Sequence, residues 1–122
     1  MARLWCPTRL TRSRALERDN ARASLRISTL QNLIASAAID ARRGEYEPAR
    51  QAASGFFTSL QAELDRGADS VFNDSQKAGL QPLFDGRDET ITRLARSDPA
   101  AADRLADLYV KYRQAAPAAP AT

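Results

Sequence analysis

The sequence predicts an all-α protein: an antiparallel bundle of about four helices with a long N-terminal helix projecting as a coiled-coil-like stalk. Three observations carry that expectation. The 122 residues are rich in alanine and arginine and poor in aromatic and β-branched side chains, a composition that suits helices better than strands. The glycines fall mostly where an apolar stripe stops. From Leu16 to Ala41, apolar or small residues recur alternately four and three positions apart. A chain of this length forms one domain with a modest core.

Residues 1–10, MARLWCPTRL, have no helical period and contain Pro7, so they are expected to be a flexible arm. An arginine-containing leader without acids, or a misassigned start, fits them equally well.

The first helix is expected over about residues 12–43. Its seam is Leu16, Asn20, Ala23, Ile27, Leu30, Ile34, Ala37 and Ala41. With Asn20, Ile27, Ile34 and Ala41 at heptad position a, and Leu16, Ala23, Leu30 and Ala37 at d, the pattern favours two parallel strands. A lone asparagine at a fixes register at a cost in stability. A seam packed within one chain has the same spacing, so the partner is either this chain's own bundle or another molecule. Leu33 and Ala38 widen the stripe in the second half, whereas Arg22, Ser24 and Arg26 flank a narrow seam in the first. The second half therefore reads as core and the first as stalk. The candidate interface is Leu16, Asn20, Ala23, Ile27, Leu30 and Ile34, a pairing that sets Asn20 against Asn20 and Ile27 against Ile27.

Arg42 and Arg43 suit the negative end of a helix dipole, and Gly44 can take the left-handed conformation that closes the helix. Glu45, Glu47 and Pro48 then open a second helix, over about 47–66, with Ala49, Ala53, Phe56, Leu60 and Leu64 on its apolar face. The run Gly44-Glu45-Tyr46-Glu47-Pro48-Ala49 resembles the Gly-x-Tyr-x-x-Ala turn between the two helices of a tetratricopeptide repeat. The resemblance covers about residues 33–60 and implies a helical hairpin there. It implies neither a repeat array nor its peptide groove. Ala53 and Phe56 reverse the size order of the repeat, and no second copy follows at its period.

Gly55, inside the second helix beside Phe56 and Phe57, costs about 1 kcal/mol against alanine and so suggests the close approach of another helix. In the loop 67–74, Val71 and Phe72 are expected to fold back onto the bundle. Asp74 or Ser75 caps a third helix over about 75–96, whose stripe is Leu80, Leu83, Phe84, Ile91, Leu94 and Ala95. Pro82 should kink it, and a break at Gly86 is the alternative. Ser97-Asp98-Pro99 marks the start of a fourth helix, 98–114, that turns Ala101, Ala102, Leu105, Leu108, Tyr109 and Tyr112 inward. The tail 115–122, rich in alanine and proline, has nothing to bury and is expected to be disordered.

The chain has no histidine, which removes the usual general base near neutral pH and with it Ser-His, Cys-His and HExxH chemistry. Cys6, the only cysteine, has no acid or base nearby in sequence. The carboxylates of Asp85, Asp88 and Glu89, and of Asp103 and Asp107, match neither a calcium loop nor a di-metal bundle, and no phosphate-binding glycine loop occurs. No catalytic, cofactor-binding or metal-binding residue is assigned, and no cofactor is expected. No apolar run is long enough to cross a membrane as a helix.

Charge is uneven. Residues 1–26 hold seven arginines against Glu17 and Asp19, a net +5, so residues 27–122 carry −2 of the total +3. Arg14, Arg18, Arg22 and Arg26 recur every fourth residue and form one ridge, a candidate anion-binding surface for nucleic acid or anionic lipid headgroups. No aromatic or amide side chain interleaves with them to read bases.

The expected function is therefore non-enzymatic: a structural or protein-interaction helical domain that self-associates or binds a helical partner through its N-terminal helix. Nucleic-acid or anionic-surface binding through the arginine ridge is the alternative. The layout is similar to the soluble part of bacterial envelope proteins, in which a charged helix links a membrane anchor to a helical domain. Cytoplasmic and envelope-associated locations are both compatible with the sequence.

Overall fold

A computed structural model of the protein describes the backbone of residues 7–116, with side chains from residue 14. The elements run α1 (Pro7–Arg42), α2 (Tyr46–Leu64), a 3₁₀ turn (Gly67–Asp69), α3 (Asp74–Leu80), a 3₁₀ segment (Gln81–Gly86), α4 (Arg87–Ala95) and α5 (Ala100–Ala115). There is no strand among the described residues.

Helix α1 starts earlier than its apolar period suggested. Proline is tolerated at a first helical position, where its missing N–H has no intrahelical partner to lose, so Pro7 begins the helix and residues 7–10 belong to it. The rest of the expected arm, residues 1–6, lies outside the described residues. At the other end Gly44, with φ of 80°, closes the helix. Its N–H donates to the Ala41 carbonyl (3.1 Å) while that of Glu45 reaches the Asp40 carbonyl (2.8 Å), the paired bonds of a Schellman cap. Arg42 stands in the last turn as the dipole favours.

Helices α2 and α5 both pack on α1 and run antiparallel to it. Arg42, at the end of α1, pairs with Asp103 at the start of α5 (3.2 Å), and Tyr112, near the end of α5, donates its hydroxyl proton to the Ile27 carbonyl (3.1 Å). Ile27, Leu30, Ile34, Ala37 and Ala41 are buried by this arrangement. At 1.5 Å per residue, α1 is about 54 Å long and α2 about 28 Å, so α1 outruns its partner by several turns.

The core is one cluster. Phe56 meets Phe57 and Tyr112 edge to face, with centroids 5.4 and 5.6 Å apart, and Leu60, Leu80, Leu94 and Leu105 close around them. Each such side chain contributes about 1.5–3 kcal/mol on leaving water. Val71 and Phe72 fold back onto this core as expected. An added Cβ at Gly55 would lie 3.7 Å from Leu33 Cδ2, an ordinary contact, so the glycine marks α1 passing close by without being required for it.

The segment expected as one kinked helix over 75–96 is broken. Helix α3 ends at Leu80, the chain tightens to 3₁₀ through Pro82, and α4 begins at Arg87. A 3₁₀ turn advances 120° per residue against 100° in an α-helix, so the apolar face shifts phase across it. Thr90 is consequently buried and Ala95, expected inside, is exposed. The start of α3 is also set one residue earlier than expected. Asn73 accepts from the Gln76 N–H (2.8 Å) and Gln76 Oε1 accepts from the Asn73 N–H (2.9 Å), a reciprocal capping box.

At the next junction Ser97 adopts φ of 55°, and Asp98 Oδ1 accepts from the Ala100 N–H (2.9 Å) to cap α5. Ala101, Ala102, Leu105, Leu108 and Tyr112 are buried and Tyr109 is half-buried. Of the expected disordered tail, Ala115 completes α5 and Ala116 is buried, while residues 117–122 lie outside the described residues.

Candidate functional site

Two faces of α1 separate on leaving the bundle. Along the seam, Leu16 is 58% exposed, Asn20 is exposed and Ala23 half-buried, while Ile27, Leu30 and Ile34 are enclosed by this chain's own α2 and α5. The six residues read as one interface thus divide into three that a partner can reach and three that it cannot. A dimer seam running as far as Ile34 is incompatible with this fold, because two other helices already occupy that face. The border between stalk and core falls at Ile27.

The arginine ridge points away from the seam. Arg14, Arg18 and Arg22 are exposed and Arg26 half-buried, and none of the ion pairs among the described residues involves them. The helix holds them as one row. Within that row lies Leu25, 67% exposed, three residues after Arg22 and seven after Arg18. It falls outside the heptad seam, and a reading confined to the seam passes over it.

Elsewhere charges are tied together. Glu89 binds Arg93 (2.8 Å) in its own helix and Arg104 (2.7 Å) in α5, so it joins α4 to α5. The Arg93 guanidinium, and secondarily Arg104, hold its carboxyl below the ordinary glutamate range. Asp98 is lowered chiefly by the Ala100 N–H and also by Arg93 (2.7 Å). Asp103 faces Arg42, Asp107 faces Lys111 and Asp88 faces Arg87. The carboxylates singled out as clusters therefore belong largely to ion pairs. No group of three metal-ligating side chains forms among the described residues.

One buried acid was not anticipated. Glu63 is enclosed, accepts from the Val71 N–H (2.9 Å) and lies 3.6 Å from Arg66 Nε, so it pins the 70–72 loop to α2. Only its spacing from Leu60 and Phe56 could have hinted at burial. Nearby, burial and then the Glu63 carboxylate push the Tyr112 phenol far above the ordinary tyrosine range.

No described helix is long and apolar enough to cross a membrane. The chain matches no family model, no curated protein and no solved structure.

Proposed function

We propose that this chain is a non-enzymatic helical interaction module that associates with a second copy of itself or with another helical protein through the projecting half of α1. The observation that carries this reading is the exposure of Leu16 and Asn20 on a seam whose continuation, from Ile27 onward, is fully packed. A helix of about 13 residues is marginal alone in water, so residues 14–26 gain from lying against a partner. Pairing is confined to this projecting stretch, since α2 and α5 cover the seam beyond it.

Sedimentation equilibrium at tens of micromolar tests self-association. The reading expects a dimer that Leu16→Ser weakens, with the melting curve unchanged only in protein dilute enough to be monomeric. It also expects Asn20→Leu to tighten association while loosening its stoichiometry, because the buried amide costs stability and restricts register. A clean monomer removes the second copy as partner and leaves another helical protein.

A second reading, binding of nucleic acid through Arg14, Arg18, Arg22 and Arg26, is favoured by the absence of ion pairs at these four positions among the described residues. Titration with a duplex oligonucleotide checks it. Reversal of Arg18 and Arg22 to glutamate should abolish binding and flatten its salt dependence.

A further inference from the structure

We propose that the groove between α1 and the C-terminal half of α2, on the side of α1 away from the Leu16 seam, is a docking site for an acidic amphipathic helix of a partner protein. The groove has a volume of about 340 Å³ and is lined by Leu25, Arg26, Thr29, Leu30, Ser59, Ala62, Glu63 and Arg66. Buried Leu30 lies in it and exposed Ala62 on one wall, and Leu25 stands beside it with two thirds of its surface in water. An exposed leucine of this kind is a mild liability in a free chain and an anchor once covered.

Charge selects the occupant. Arg26 and Arg66 line the groove, and Arg22, Arg18 and Arg14 continue the row outward along α1. Among the described residues Glu63 is the one acid in the groove, and it is already held by the Val71 N–H and Arg66. A helix with a leucine stripe and flanking carboxylates would cover Leu25 and Ala62 while its acids meet the arginines, the helix-in-groove mode of recognition. Nucleic acid matches the cations but leaves Leu25 without a counterpart, and no aromatic side chain among the described residues lines the groove to stack on bases. This surface is distinct from the Leu16 seam, so either can fail alone.

The test uses the whole chain and a synthetic helix with leucines at i, i+3, i+4 and i+7 and glutamates on its other positions, with binding measured by fluorescence anisotropy in low salt. The expected result is saturable binding that falls about tenfold on Leu25→Ser, the order expected for losing one covered leucine. It should fall further on Arg22→Glu with Arg26→Glu, and stay unchanged on Leu16→Ser. The same peptide with lysine in place of glutamate should not bind. Leu25 and Arg22 are exposed and Arg26 is half-buried, and circular dichroism checks that the fold is retained. No binding of the acidic peptide, or binding lost on Leu16→Ser and kept on Leu25→Ser, overturns the proposal. So does a preference for a single-stranded oligonucleotide or for phosphatidylglycerol vesicles that Leu25→Ser leaves untouched.

Discussion

From Ile27 to Ala41 and from Leu16 to Ala23, α1 repeats the same alternation of four and three, yet the first run is packed and the second stands largely in water. The spacing is shared; what differs is the width of the stripe. Leu33 and Ala38 flank the packed run and rest against the core, so that half of the helix meets α2 on one side and α5 on the other. Arg22, Ser24 and Arg26 flank the outer run, which leaves a narrow seam with room for a single neighbour. Periodicity says that a helix has a partner, and stripe width says how many.

One charge placed in each half of α1 separates the two environments. Ile34 is fully buried, so Ile34→Asp removes a core side chain and leaves an unpaired charge inside, a loss of more than about 4 kcal/mol that unfolds a marginal domain. Leu16→Asp changes stability by less than about 0.5 kcal/mol, as exposed substitutions do. Thermal melts followed by circular dichroism read both. Ile27→Asp belongs with Ile34 and not with the dimer, because Ile27 is core.

Next in size is the turn that folds α2 back onto the packed half. Gly44 is left-handed, and Gly44→Ala is expected to cost about 1–2 kcal/mol in urea unfolding. Tyr112→Phe removes the bond to the Ile27 carbonyl, a loss of about 1 kcal/mol at neutral pH. That difference depends on pH in a definite direction. The folded phenol is raised, so its contribution is complete below the unfolded value of about 10 and is lost as pH rises beyond it, since the unfolded chain then releases a proton the folded chain retains. The gap between wild type and Tyr112→Phe should narrow in urea titrations taken above pH about 10. The last effect has the opposite sign. A Cβ at Gly55 meets only Leu33 at ordinary contact distance, so Gly55→Ala should stabilise by about 0.5–1 kcal/mol.

The helical class, the Gly44 turn and the wide stripe were legible because each follows from local preferences. Asn73 and Gln76 also stand at capping-box spacing, and the acid beside them drew the expected start one residue too late. The break after Leu80 was harder. Pro82 and Gly86 allow a kink or a break, and the outcome depends on how Leu83 and Thr90 pack against the rest of the core. Ser97 gave no warning of its left-handed backbone, since nothing in a serine calls for it. Contacts such as Arg42 with Asp103 or Tyr112 with Ile27 join residues far apart in sequence and exist only once α5 lies on α1. For the candidate surfaces, sequence located the arginine row and the outer seam. It did not distinguish Ile27, Leu30 and Ile34 from the residues a partner can reach, because heptad spacing is the same on both sides of the border. Leu25 and its groove needed the position of α2.

Amide hydrogen exchange resolved along α1 reads its change of role at Ile27 residue by residue. In dilute protein the expected result is protection near the global unfolding level from Ile27 to Ala41, with rapid exchange from Arg14 to Arg26 that slows when protein concentration is raised or a helical partner is added. Uniform protection along the whole of α1 in dilute monomer, with no step at Ile27, would contradict it.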